Sequence, residues 1–210
     1  MIKKATIVLA IIGVSVLGAR AQKITFGAKI SGGFAYQQVT NPDVISTGSI
    51  KTFNIKGIAQ MPLKNNFWLE AGLGISNKGS IAYNDALTTT THLTYLELPV
   101  SILRKFTFTS LGIFYLGAGG YVADGLGGEF DYQTPGSATS DKINFGKNND
   151  ILRFDTGLNF STGFEFRNRV TFNMAYTLGL NNIASSAQQD SGTSVVKNKE
   201  FSIGLGYLFK

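Results

Sequence analysis

The 210-residue chain contains one histidine, His92, and no cysteine. Imidazole is the side chain best suited to general-base work near neutral pH. Ser80 and Asp85 lie across the neighbouring loop as a candidate nucleophile and carboxylate. No Gly-x-Ser-x-Gly elbow marks a serine as exposed and activated, so His92 reads as a solvated loop residue and no catalytic residue is expected. The lack of cysteine removes thiolate nucleophiles, disulfides and Cys-ligated metals. Asp124, Glu129, Asp131, Asp141 and Asp150, with Lys142 and Lys147 opposing them, make an acidic stretch, but not at the Asp-x-Asp-x-Asp-Gly spacing of a calcium loop. Gly125-x-Gly127-Gly128 has no βαβ unit around it, so it is no dinucleotide fingerprint. No metal and no cofactor are expected.

The charges that remain fall into a pattern. Lys29, Lys56, Lys78 and Arg153, and against them Glu70, Glu97, Asp155 and Glu165, sit on one side of segments that alternate with period two. In the first segment Ile24, Phe26, Ala28, Ile30, Gly32, Phe34 and Tyr36 oppose Thr25, Gly27, Lys29, Ser31 and Gly33. Seven more segments follow, near residues 52–61, 67–78, 93–104, 111–122, 152–165, 170–180 and 201–209. Most have ten or more residues, whereas strands of soluble proteins usually have five or six. About ten tilted residues cross a bilayer as a strand. The connections also alternate, short at residues 62–66, 104–110 and 167–169, and long at 37–49, 82–90, 123–149 and 182–196.

One face carries the charges and the other carries almost none at mid-strand. A lipocalin-like barrel or a sandwich would be apolar inside and polar outside; here the uncharged apolar face belongs against lipid. The fold expected is all-β, an eight-stranded antiparallel up-and-down transmembrane β-barrel with both termini at the short-turn end. Composition agrees: 15% charged, 12% aromatic, 25 glycines and a mean hydropathy of +0.09. Most glycines fall on the inward face, where they relieve crowding.

The lumen of such a barrel is just wide enough for side chains to fill. Lys29, Lys56, Glu70, Glu97, Asp155 and Arg153 are therefore expected to form an internal ion-pair network, with Lys29, Lys56, Glu70 and Glu97 as a plug at its heart. Tyr95, Tyr115 and Tyr121 would add hydroxyls. Phe67, Trp68, Phe108, Phe166, Tyr207 and Phe209 gather towards the short-turn end as an expected interfacial girdle. The turns carry Lys64, Arg104, Lys105, Arg167 and Arg169 and no acid, which suits anionic headgroups on the periplasmic side.

Residues 1–21 read as a secretory signal peptide, with Lys3 and Lys4 before an apolar run over residues 5–18 and Ala19-Arg20-Ala21 as the cleavage signal. The barrel domain is then 22–210. Removing the leader lowers the net charge from +6 to +3, and nucleic-acid binding is not expected. The closing Tyr207-Leu208-Phe209-Lys210 resembles the C-terminal aromatic signal read by the barrel-assembly machinery, with Lys210 as a departure.

Phe26-Gly27-Ala28-Lys29, Leu69-Glu70-Ala71-Gly72-Leu73-Gly74 followed by Asn77-Lys78-Gly79, Tyr95-Leu96-Glu97-Leu98-Pro99, Tyr115-Leu116-Gly117-Ala118-Gly119 and Phe154-Asp155-Thr156-Gly157 resemble the PorT-like outer-membrane β-barrel family of Bacteroidota-type bacteria. The resemblance runs through the whole mature chain in order. It implies an eight-stranded barrel and an association with type IX secretion. The expected function is thus a non-enzymatic bacterial outer-membrane protein, with termini periplasmic and long loops extracellular. It would act through those loops or within an envelope or secretion complex. Its partners would be outer-membrane lipid, envelope proteins and, during biogenesis, the assembly machinery. A narrow channel for small solutes and a lipid-modifying enzyme are the alternatives.

Overall fold

The computed structural model describes residues 24–40, 46–84, 86–108, 110–186 and 195–209. The expected signal peptide, Asp85 and Lys210 lie outside them. Ten strands are present: β1 (Thr25–Thr40), β2 (Ser46–Gly48), β3 (Ile50–Pro62), β4 (Phe67–Tyr83), β5 (Thr88–Phe108), β6 (Gly112–Thr134), β7 (Ser137–Lys142), β8 (Phe154–Phe166), β9 (Val170–Gly179) and β10 (Val195–Leu208).

Eight of them close into a ring, in the order β1, β3, β4, β5, β6, β8, β9 and β10. Every pairing in it is antiparallel, and β10 returns to β1 from Gly27 opposite Leu208 to Thr40 opposite Val195. Closure removes the free edges that would leave backbone groups unsatisfied in lipid. β2 pairs only with the far end of β4, and β7 folds back on β6 as a hairpin beyond the wall.

The short turns follow from local chemistry. Asn65 and Asn66 both have positive φ, 59° and 61°, and Phe67 N donates to Lys64 O at 3.2 Å. These are the features of a two-residue turn whose twist suits a hairpin, and asparagine tolerates that backbone. At the β8–β9 turn Arg169 N donates to Phe166 O and Arg169 itself has φ 70°, the pattern of a three-residue hairpin loop.

Outward positions are the apolar ones. Leu73 and Leu205 are 53% and 54% exposed, and Ile30, Phe34, Phe53, Ile55 and Phe160 are exposed alongside them. Inward positions are buried and polar, among them Lys29, Ser31, Asn54, Gln60, Lys78, Glu97, Asp155 and Asn173. A water-soluble protein has the opposite distribution.

The strands run further than the alternation alone indicates. β5 begins at Thr88 and ends at Phe108, and β6 extends to Thr134. The β4–β5 connection therefore shrinks to residues 84–87, and much of the expected loop over 123–149 is hairpin. The run Thr88-Thr89-Thr90-Thr91 shows no apolar alternation, yet β-branched threonines favour a strand.

Candidate functional site

The lumen is where the functional chemistry concentrates. At the short-turn end, Lys105 on β5 donates to both oxygens of Glu165 on β8 at 2.7 Å. Gln60 on β3 ties this pair into its surroundings, accepting from Lys105 Nζ at 2.8 Å and donating to Glu165 at 3.0 Å and to Glu70 at 2.8 Å. Glu70 in turn receives both hydrogen bonds of Lys29 Nζ, at 2.7 and 2.8 Å.

Further along the axis, Lys56 stands 3.6 Å from Glu97. Glu97 also meets Lys78 at 3.0 Å, and Lys78 meets Asp155 at 3.1 Å. Tyr121 OH and Asn198 Nδ2 donate to the same Asp155 oxygen at 3.1 and 2.9 Å. Gln37 donates to Asn198 at 2.9 Å, and Ser80 donates to Gln37 at 2.8 Å. The Lys78 ammonium lies 3.9 Å from the centroid of the Tyr121 ring and 5.3 Å from that of Tyr95. Charges this enclosed are tolerated when paired and hydrogen-bonded.

Between these two clusters lies a cavity with about 40 Å³ accessible to the centre of a water molecule. Tyr115 OH, Asn159 Oδ1 and Asn173 Nδ2 are buried there without a protein hydrogen-bond partner among the described residues. A polar lining around a space of that size accommodates ordered water. Glu200 also faces it, 3% exposed, with Asn54 and Thr52 donating to its carboxylate at 2.6 and 3.0 Å.

An apolar cluster occupies part of the mouth at the long-loop end. Ile143, Phe145, Ile151 and Ile183, from the connections around β8 and after β9, pack on Leu93, Tyr95, Tyr121 and Ala123 of the wall. This cluster covers the Lys78–Asp155 layer. Side chains thus line the lumen from the Lys105–Glu165 pair at one end to the apolar cluster at the other, where a pocket of about 160 Å³ remains among Gln37, Ser80, Thr91, Ile151 and Ile183.

The structure brings together Lys29 with Glu70, Lys56 with Glu97, and Asp155 with the latter pair through Lys78. Arg153 is not in the network. It precedes β8, is exposed, and donates to Asp124 at 2.8 Å on the outer surface. Lys105 is no turn residue: β5 carries it into the lumen, and Arg104 beside it points outward, 4.8 Å from the Phe67 ring. Glu200 escaped notice because β10 begins six residues before the apolar alternation does.

Phe67, Phe108, Phe166, Tyr207 and Phe209 are exposed on the outward face at the short-turn end. Trp68 departs from the expected girdle. It shares the inward phase of Glu70, and its ring lies 4.1 Å from Lys105 Nζ. Ser80 and His92 also part company: Ser80 is buried in the lumen, while His92 is outward, 3.6 Å from Asp131. The serine–histidine pairing considered from sequence is not assembled. Among the described residues no group of three or more His, Cys, Asp or Glu is placed to hold a metal.

Residues 20–185 match the family model for the outer membrane protein beta-barrel domain. No curated protein matches the chain. Similar solved structures include Neisserial surface protein A, at 16% identity over 90% of this chain and 100% of that one, TM-score 0.47. The attachment invasion locus protein Ail of Yersinia pestis is 14% identical over 87% and 98%, TM-score 0.40. A major outer membrane protein of Thermus thermophilus is 10% identical over 89% and 99%, TM-score 0.47.

Proposed function

We propose a function from one premise: the chain belongs to the outer membrane protein beta-barrel domain family. It is a sealed barrel of the bacterial outer membrane that does no chemistry and conducts no solute. It works through the segments at its long-loop end, as a binding or assembly component of the cell envelope. The observation that carries this reading is the filled lumen. Four lysines, Lys29, Lys56, Lys78 and Lys105, meet the acids Glu70, Glu97, Asp155 and Glu165, and an apolar cluster occupies part of the mouth. A selective pore instead presents a ring of one sign along an open path.

The wall continues past the apolar cluster into the β6–β7 hairpin, an exposed surface for a partner. Loops and hairpins on a fixed scaffold are where binding concentrates. The resemblance to PorT-like barrels supports a partner within an envelope complex associated with secretion, with termini on the periplasmic side.

Purified protein in planar bilayers should show no steady conductance. A stable open channel in the wild type, abolished by Glu97→Gln or Lys56→Gln, would replace the sealed barrel with a transporter. Cross-linking in intact envelopes should capture protein partners through Cys placed at Ala138 in the hairpin, and not through Cys placed at Leu205 on the lipid face.

A further inference from the structure

Charge is unevenly shared around the outward surface at the long-loop end. On one side Asp124 is held by Arg153 at 2.8 Å, and His92 stands 3.6 Å from Asp131. On β3 and β10 the outward positions at that level hold only cations, Lys51, Lys197 and Lys199. None has a carboxylate within 4 Å among the described residues.

Register brings Lys199 near Lys51 and sets Lys197 two residues further out, its Cα roughly 17 Å from that of Lys51. Lys51 lies opposite Phe34 of β1, Tyr36 opposite Lys199 and Gln38 opposite Lys197. With strands about 4.8 Å apart and a rise of about 3.4 Å per residue, the Cα atoms of Lys51 and Lys199 are roughly 12 Å apart, a gap that two extended lysine side chains can close. Lys199 already leans that way, its ammonium 5.7 Å from the Tyr36 ring centroid on the intervening strand. Tyr36 OH reaches across β10 to Tyr176 OH at 3.0 Å.

The ladder beside Lys51 also parts on the outward surface, with Asn77 N donating to Asn54 Oδ1 at 3.1 Å across the last pair. The β3–β4 ladder stops at Asn54 opposite Ser76, and pairing to β4 resumes only at Gly48 of β2, opposite Ile81. The gap is a crevice of about 300 Å³, with Lys51 and Phe53 on one side and Asn77, Lys78, His92 and Leu93 on the other. Beside Lys51 and towards mid-wall the outward surface is apolar again, through Phe34, Phe53 and Ile55.

Unbalanced cations beside a tyrosine pair, bordering an apolar surface and a crevice, match an anionic amphiphile with its head on the lysines. Tyrosine sits at headgroup depth, and each lysine near an anionic lipid surface contributes about fivefold in affinity. We propose that the β3–β1–β10 sector binds a phosphate-bearing lipid. Lys51 and Lys199 take a phosphate, Lys197 further out adds to the attraction for the anionic headgroup, and an acyl chain lies along Phe53 and Ile55 beside the crevice. The proposal rests on the barrel reading above, but not on which end of the barrel faces outside.

The test is native mass spectrometry of the protein folded in detergent, with bisphosphorylated lipid A and the same lipid after phosphatase treatment as probes. The folded protein should retain the phosphorylated lipid and not the stripped one, and millimolar inorganic phosphate should leave it bound. The variant K51Q/K197Q/K199Q should lose affinity on the order of a hundredfold, while K142Q/K147Q, with lysines in the hairpin and the loop beyond it, should match the wild type. Should the triple variant not fold, K51Q and K199Q singly should each lose about fivefold. Equal retention of both lipids, displacement by inorganic phosphate, or an equal loss in K142Q/K147Q would overturn the site. Failure of the wild type to give a heat-modifiable folded band would instead count against the barrel itself.

Discussion

Replacing Lys78 by methionine tests the lumen network at its most enclosed point. Lys78 is 1% exposed and holds two acids, Glu97 at 3.0 Å and Asp155 at 3.1 Å. Methionine fills much of the same space without the charge. Glu97 then keeps Lys56 at 3.6 Å, so it is not stranded. Asp155 keeps only the neutral donors Tyr121 and Asn198, and it is 0% exposed. One buried carboxylate is left without its cation, and breaking such a pair costs about 3–5 kcal/mol. Loss of the ammonium from the Tyr121 face, 3.9 Å away, pushes the cost to the upper end of that range. The assay is urea unfolding in lipid vesicles, followed by the fluorescence of Trp68, the chain's one tryptophan. Lys78→Met should be about 3–5 kcal/mol less stable than the wild type, and adding Asp155→Asn should recover most of that. A single variant within about 1 kcal/mol of wild type, or a double variant no better than the single, would refute the claim that Asp155 is held as a buried charge by Lys78.

Leu73→Arg on the lipid face should destabilise by about 2–4 kcal/mol, and Leu111→Arg at a turn by about 0–1; equal effects in the same unfolding assay would put the inward–outward phase of β4 in error. Gly79 has φ 150°, and a Cβ there would lie 1.9 Å from the Thr91 carbonyl oxygen, so Gly79→Ala should abolish the heat-modifiable folded band or lower its transition temperature. Trypsin added to intact cells should cut at Lys142 or Lys147 and spare Lys64, and cleavage confined to Lys64 would invert the proposed orientation. Lys105→Met should destabilise unless paired with Glu165→Gln, which an unfolding midpoint for each variant measures.

The barrel was legible because lipid imposes one simple rule on every strand. The outward set must be apolar, so residues such as Ile30, Leu73 and Leu205 recur at every second position through the membrane-spanning part of the wall. Which residues point inward was legible from their phase, but which of them pair was not. Lys29 and Lys56 stand directly opposite each other across β1 and β3, yet each finds its acid elsewhere, on β4 and β5. Lys105 was hidden by its neighbourhood: two adjacent cations at Arg104-Lys105 look like a turn, and the pairings of Arg104 with Phe67 and of Lys105 with Tyr115 reveal a strand. Glu200 was hidden for the same reason, since Lys197, Asn198, Lys199 and Glu200 show no apolar alternation. Trp68 was misplaced by composition, because an aromatic near a turn suggests the bilayer interface while its phase puts it inside. Arg153 has the opposite history, a correct parity that counts for nothing once the backbone leaves the strand at that residue.

A barrel this narrow could fill its lumen with apolar side chains, and replacing buried ion pairs by well-packed hydrophobic residues is often neutral or stabilising. The choice of ion pairs is therefore better explained by the strands than by the finished barrel. If the inward face were apolar too, β1, β3, β8 and β10 would each be a run of ten or more apolar residues. Such segments are prone to pair with other chains before they reach the membrane. Lysines and acids at alternate positions interrupt that property in every wall strand but β6 and β9. β9 relies on Thr171, Asn173 and Thr177, and β6 on Tyr115, Gly117, Gly119 and Tyr121. The ring closes β9 between β8 and β10, which carry Asp155, Glu165 and Glu200. The same alternation has a geometric consequence once the barrel forms. The charged groups converge on one axis, where each lysine meets acids from other strands: Lys29 of β1 meets Glu70 of β4, Lys78 of β4 meets Glu97 of β5 and Asp155 of β8, and Lys105 of β5 meets Glu165 of β8. A one-residue slip of any of these strands would turn its charge into the lipid, at about 2–4 kcal/mol for a lysine at mid-membrane. The charges that keep the unfolded strands apart are thus also the ones that select a single register.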